Sequence, residues 1–220
     1  MINEKKLNEY RFEKKFVFKS ERKIIDNLIF KNAGLFYKKY NSRYINNIYF
    51  DDVEDTLLDM NIEGISKRFK VRIRWYNDEI EKSILEIKIK NNQKNYKLYF
   101  KIHKQINLNE ISNCYLVDIV GDSPDLCTLE YLKPVIYNRY RRDYYESFLD
   151  NIRLTIDTNL NFKNLRFEKK FNKTNNLVIV ELKYSKNSDI IKLISNNLNT
   201  RMSKFSKYVT CATEDFSNFL

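Results

Sequence analysis

Charged and apolar side chains alternate along several short stretches of this chain. Arg11, Glu13 and Lys15 stand two residues apart, as do Arg72 and Arg74, and then Glu86, Lys88 and Lys90. The alternation returns at Arg139 and Arg141, at Arg153, Thr155 and Asp157, and at Glu181 and Lys183. Apolar residues fill the gaps: Phe12 and Phe16, then Val71, Ile73 and Trp75, then Leu85, Ile87 and Ile89, and later Ile152, Leu154, Ile156, Val178, Val180 and Leu182. Successive side chains of a strand point to opposite faces, so each stretch predicts a strand with one apolar and one ionised face. A half-exposed strand on an ordinary sheet can carry this pattern. Its recurrence, with Arg or Lys and Glu on the same face, points to a sheet curled round a charged interior that holds a polyanion and a metal ion.

The same patterning predicts strands at 10–18, 43–50, 67–76, 82–90, 96–103, 134–146, 151–158 and 177–184. Hairpins are predicted across Asn77–Glu81 and around Ser147–Asp150, and residues 161–176 read as a strand plus loop. Ser20 predicts the cap of a helix running to about Ala33, with Gly34 as its stop. Asp51 or Asp52 predicts the cap of a short helix ending near Gly64. Ser188 predicts the cap of an amphipathic helix carrying Ile190, Ile191, Ile194 and Leu198. Residues 105–133, with Pro124 and Pro134, are weakly patterned. The expected fold is mainly β, of α+β type: a closed eight-stranded antiparallel barrel or tunnel with a few flanking helices.

Composition narrows this picture. The 220 residues include 43% hydrophobic and 15% aromatic residues, enough for a core, but only 3 Gly and 2 Pro. No Pro/Gly-rich linker interrupts the chain, so a single domain over 1–220 is expected. The net charge of +11 favours anionic partners. Cys114, Cys127 and Cys211 show no CxxC spacing, which argues against a zinc site or disulfide framework and fits a cytoplasmic protein. The first residues lack the apolar run of a signal peptide, and no stretch of about 18 apolar residues suits a membrane span.

The basic set on the strands is Lys15, Arg72, Arg74, Lys88, Arg139, Arg153 and Lys183, with Lys207 near the C-terminus. Guanidinium forks bind phosphate oxygens in pairs, and lysine adds point charge. Cations converging on one cavity repel, and a multiply charged anion such as triphosphate or polyphosphate offsets that. Cross-strand Arg–Glu pairs on a solvated face are the alternative. The acids are Glu13, Glu86, Asp157 and Glu181. Carboxylates beside phosphates make sense with a hard divalent ion between them, and Glu181 is the first candidate, with Glu13 and Asp157 behind it. Glu86 serves equally well as a holder of neighbouring cations. A single histidine, His103, excludes multi-histidine metal sites and reads as a surface residue. No glycine-rich phosphate loop of either common pattern occurs, so side chains must do any phosphoryl chemistry.

Eight pieces then stand in one order: YRFEKKF, NIYFDD, KVRIRWY, LEIKIK, PVIYNRYRRDYY, RLTIDTNL, VIVELKY and SKFSKYV, spanning residues 10–209. In these the chain resembles the VTC domain, the polyphosphate polymerase branch of the triphosphate tunnel metalloenzymes (the CYTH-like superfamily). The resemblance implies an eight-stranded tunnel with a basic, metal-binding interior, and transfer of the ATP γ-phosphate onto polyphosphate. By motif, Arg72, Arg74, Lys88, Arg139, Arg153, Lys204 and Lys207 would hold phosphates and Lys15 would line the tunnel. Glu181 would bind Mn²⁺ or Mg²⁺. Expected partners are ATP and polyphosphate or inorganic triphosphate; nucleic acid is not expected. The N-terminal phosphate-sensing domain and membrane domain of the eukaryotic members are not expected in these residues. The same scaffold also carries triphosphatases and adenylate cyclases, so a tunnel phosphohydrolase and a non-catalytic polyphosphate-binding module are the alternatives.

Overall fold

A computed structural model describes residues 4–7, 12–92, 94–102, 105–111, 114–120, 129–149, 151–167, 171–174, 176–185 and 189–214. Arg11, His103, Pro124, Cys127, Asp150 and Ser188, all singled out above, lie outside the described residues. The described residues form ten strands: β1 (Glu4–Leu7), β2 (Phe12–Lys19), β3 (Phe36–Asp51), β4 (Lys67–Tyr76), β5 (Ile84–Asn91), β6 (Lys94–Lys101), β7 (Lys133–Ser147), β8 (Arg153–Asn164), β9 (Asn172–Lys173) and β10 (Leu177–Tyr184). The helices are α1 (Arg22–Phe30), α2 (Thr56–Glu63), α3 (Leu116–Val120), α4 (Asp189–Asn197) and α5 (Lys207–Thr213).

All pairings are antiparallel, and the sheet runs β1-β6-β5-β4-β3-β7-β8-β10-β2, with β9 added on β8. This corrects the expected eight-stranded closed barrel. Among the described residues the pairing path ends at β1 and β2, which do not pair with each other. The sheet is nevertheless curled, because Glu13 and Lys15 of β2 act electrostatically on Lys88 of β5, far along the path.

Alternation decides which face turns inward. On β4, Val71, Ile73 and Trp75 are buried outward in a cluster with Leu85, Ile87 and Phe100, covered by α3 and the segment before it. On β8 and β10, Leu154, Ile156, Val180 and Leu182 pack outward against Ile25 and Ile29 of α1 and Ile191 and Ile194 of α4. The apolar faces thus look out onto helices, and the ionised faces look in. A third cluster lies inside: Tyr49, Ile136, Tyr140 and Ile179 meet Phe205, Tyr208 and Cys211 of the α5 segment, with Leu58 of α2. It closes one end of the interior. Burying these apolar surfaces stabilises each layer by roughly 25 cal/mol per Å².

The caps differ in part from expectation. The Asp51 carboxylate accepts from the backbone N–H of Leu57 and Leu58, and Asp52 accepts from that of Thr56, so both hold the start of α2. Asp51 also accepts from the Tyr208 hydroxyl, tying α2 to α5. Gly64, at φ +76, ends α2 in the left-handed region that suits glycine. Ser20 does not cap α1: the helix starts after Glu21, without a side-chain cap, and stops at Phe30. Gly34 follows a turn instead, where a Cβ would lie 2.4 Å from the Phe36 ring. β3 also starts earlier than its apolar pattern suggests. Its first half pairs with β7 alone, as a polar ribbon beyond the end of β4, and needs no apolar alternation.

Candidate functional site

Directly opposite residues of an antiparallel pair share a face, so the register assembles the site. Arg72 lies opposite Tyr49 on one side and Glu86 on the other. Glu86 is 2% exposed and takes Arg72 Nη2 at 2.8 Å, Lys97 Nζ at 2.9 Å and Arg74 Nη1 at 3.7 Å. Burial pushes its carboxyl up, but Arg72, then Arg74 and Lys97, hold it far below the ordinary range. Glu86 therefore organises cations and is saturated by them. Arg74 donates Nε to Asn47 Oδ1 at 2.8 Å, and Asn47 in turn donates to Asn138. This buried amide pair fixes the guanidinium.

A second buried centre is Asp157. It lies opposite Arg142, which grips it bidentately at 2.6 and 2.7 Å, and Lys207 of α5 also donates to it. Burial opposes both charges. Arg142 and then Lys207 outweigh that for Asp157, and Asp157 does so for Arg142. Asp157, expected as a weaker metal ligand, is thus taken up by two cations.

Glu13, Lys15, Glu181 and Lys183 form the third group, on β2 and β10. Glu181 is opposite Lys15, and Lys183 is opposite Glu13. Lys183 Nζ stands 2.5 Å from Glu181, and Lys15 Nζ 2.8 Å from Glu13. Burial and the charge of Glu181 push Glu13 up, yet Lys15, Lys88 and Lys183 bring it below the ordinary value. Glu181 is held well below it against burial by Lys183, Lys15 and Arg142. Glu181 also has Arg142 Nη2 at 3.8 Å, and neither acid has the bidentate grip that holds Asp157.

Among the described residues, two lysines between these groups have no carboxylate partner at contact distance. Burial, with Lys15, Lys88 and Arg72 nearby, brings the Lys70 amine down to about 7, and Lys70 donates to Ser206 Oγ at 2.8 Å. Lys88 is brought down to about 8, chiefly by burial, with Lys15 adding to the fall and Glu13 opposing it. Lys70 and Lys88 lie directly opposite each other, and Lys88 lies opposite Lys97, so three like charges cross the interior in a row. Such a row destabilises an empty sheet and suits an anion.

The structure brings together Lys15, Arg72, Arg74, Lys88, Lys183, Lys207, Glu13, Glu181 and Asp157 from the expected set. Arg139 is not with them. It has the opposite parity to Tyr140 and Arg142, lies over the Tyr44 ring at 4.3 Å, and reaches exposed Asp78 at 3.5 Å. Arg153 sits at the rim, 57% exposed, and Lys204 is exposed. Sequence reasoning missed Arg142, Lys70 and Lys97. The signal for Lys70 was present, since it shares parity with Arg72 and Arg74. For Arg142 it was ambiguous, because Arg139, Arg141 and Arg142 offer both parities.

Among the described residues no group of three or more His, Cys, Asp and Glu side chains is placed to hold a metal. Glu13 and Glu181 are the two inward carboxylates that could share a hard divalent ion, with ligands from outside the protein completing its shell. Among the described residues no helix is long and apolar enough to cross a membrane.

Comparison with known proteins agrees with this fold. An adenylate cyclase candidate from Bacillus halodurans superposes with a TM-score of 0.53 at 12% identity, covering 97% of this chain and 99% of its own. A candidate adenylyl cyclase from Hippeastrum, described as having a dominant triphosphatase activity, gives 0.52 at 12% identity, covering 94% of this chain and 99% of its own. At these identities the likeness is one of fold. No curated protein matches the chain in sequence. The pattern of the VTC domain covers residues 10–214, and with nearly the whole chain matched, the protein belongs to the VTC domain family.

Proposed function

We propose that this protein is a metal-dependent phosphotransferase that moves the ATP γ-phosphate onto polyphosphate within its cationic interior. The observation that carries the reading is the imbalance of charge on the inward face. Among the described residues, Lys15, Lys70, Arg72, Arg74, Lys88, Lys97, Arg142, Lys183 and Lys207 surround four acids, Glu13, Glu86, Asp157 and Glu181. Glu86 and Asp157 are consumed in orienting arginines. The surplus is a receptor for several phosphates. Arg72 and Arg74, held rigid by Glu86 and Asn47, present fixed donors, and such preorganised charge lowers the barrier where negative charge develops. Arg142 and Lys207 present a second edge across the interior. Lys70 and Lys88, ungripped by carboxylates, are free to take their protons as the anion arrives. Glu13 and Glu181 would hold Mg²⁺ or Mn²⁺, which when bound supplies charge neutralisation between phosphates. No protein nucleophile is required, because the acceptor phosphate attacks.

A tunnel triphosphatase is the second reading. One observation favours it: the α5 segment closes one end, with Tyr208 on Asp51 and Phe205 buried, so chain growth would have to share the open end with the nucleotide. Product analysis with ATP and Mn²⁺ separates the two. Chains of polyphosphate with ADP are expected; orthophosphate without chains would refute the polymerase and leave the triphosphatase.

A further inference from the structure

Three adjacent strands change character together along the interior. From the closed end, β4 presents Lys70, Arg72, Arg74 and then Tyr76. β7 presents Asn138, Tyr140, Arg142 and then Tyr144, and β3 presents Tyr49, Asn47, Ile45 and then Arg43. The three outermost positions meet. The Arg43 guanidinium carbon lies 5.2 Å from the Tyr76 ring centroid and 5.0 Å from that of Tyr144. Tyr40, 56% exposed, closes on the Tyr144 ring edge-on at 6.0 Å. Cationic walls thus give way to a π-rich collar at the open end. Arg43 differs from Arg72, Arg74 and Arg142 in what holds it. Each of those is near a buried carboxylate, whereas the contacts of Arg43 on this face are tyrosine rings.

Neither a phosphate nor a metal needs tyrosine faces, whereas a nucleobase stacks on aromatic rings and on guanidinium planes. The spacing also suits one. Strands rise about 3.4 Å per residue, so Tyr76 stands roughly 7 Å from Arg74 and roughly 14 Å from Arg72 along β4. An extended nucleoside triphosphate spans that interval from base to γ-phosphate. We propose that Tyr76, Tyr144 and Arg43 form a nucleobase seat at the mouth, which selects a nucleoside triphosphate over inorganic triphosphate. The inference rests on the phosphate-binding reading of the interior and adds the part of the ligand that lies outside it. Arg43 shifts from between the rings as the base enters, and its cation remains available to the α-phosphate side.

The test is calorimetric titration of the full chain with ATP and, separately, with sodium tripolyphosphate, for the parent and for Tyr144→Leu, Tyr76→Leu and Arg43→Gln, each checked for native melting. Loss of one stacking face should weaken ATP on the order of tenfold. Tripolyphosphate, which has no base, should change less than about twofold for the two tyrosine variants. Equal losses for both ligands, or no loss of ATP affinity in correctly folded variants, would overturn the seat while leaving the phosphate site standing. If the parent binds neither ligand, the reading of the interior itself fails, and the seat with it.

Discussion

Replacing Lys70 by methionine should stabilise the ligand-free protein, and more so at low pH. The amine is placed opposite Lys88 and close to Lys15 and Arg72, with Ser206 Oγ as its hydrogen-bond partner. Burial and these cations lower its pKa from 10.5 to about 7. Because the folded value lies below the unfolded one, the unfolded chain binds more protons between about pH 7 and 10.5, and stability rises with pH across that window. The cost of charging Lys70 is therefore complete below about pH 7. At 1.36 kcal/mol per unit it approaches about 5 kcal/mol. Water reaching a half-buried amine and the lost Ser206 hydrogen bond, worth about 1 kcal/mol, reduce the expected gain to about 3 kcal/mol at pH ~6. Between pH ~7 and ~9 the advantage should shrink by about 2–3 kcal/mol. Urea unfolding of parent and Lys70→Met at low ionic strength measures both numbers. A variant less stable than its parent at pH ~6, or a difference independent of pH, would refute the crowding of cations round this position.

The same cluster predicts proton uptake on ligand binding. A bound polyanion raises the amines of Lys70, from about 7, and Lys88, from about 8, so tripolyphosphate should bind with net proton uptake near pH ~8.5 and more weakly above it. Titration in two buffers of different ionisation heat reads the number of protons, and none taken up would contradict the arrangement. Arg142→Gln leaves the buried Asp157 with Lys207 alone, and should cost about 2–4 kcal/mol and most of the polyanion affinity. Arg139→Ala, on the outer face, should change stability by under about 1 kcal/mol and leave tripolyphosphate binding as it was; a large loss of binding would place it inside after all. Asp51→Asn removes the charge that accepts from Leu57, Leu58 and Tyr208. It should cost about 2 kcal/mol and speed amide exchange in α5.

The period-two alternation carried much of the architecture. It located β4 and β10 at their observed limits and assigned Arg72, Arg74, Lys88 and Glu181 to one face, because a strand has only two faces and apolar residues claim one of them. Where alternation was weak it failed. The ribbon at the start of β3 carries Lys38, Lys39, Asn41 and Ser42, and forms because β7 offers it a hydrogen-bonding edge. Helix α1 lost its expected cap because the chain after Ser20 runs extended at Glu21 before turning.

Which ionised residues act together was a tertiary matter. The sequence pattern marked Arg139 and passed over Arg142, three residues further along the same strand. Parity relative to Tyr140, together with the long-range pairing to Asp157, put only Arg142 inside. The sequence put Glu181 first as a metal ligand, with Glu13 and Asp157 behind it, and read Glu86 equally as a holder of cations. Three cations gathered on Glu86, and Arg142 and Lys207 on Asp157 at hydrogen-bond distance, whereas Glu181 keeps Lys183 close and Arg142 only at 3.8 Å, and Glu13 keeps Lys15. By itself the sequence determined the strands, their two faces and the excess of positive charge, because these depend on neighbours one and two residues away. The tertiary structure alone decided which charges neutralise one another, which lysines stay without a close carboxylate among the described residues, and where the α5 segment packs, because those depend on register between strands far apart in the chain.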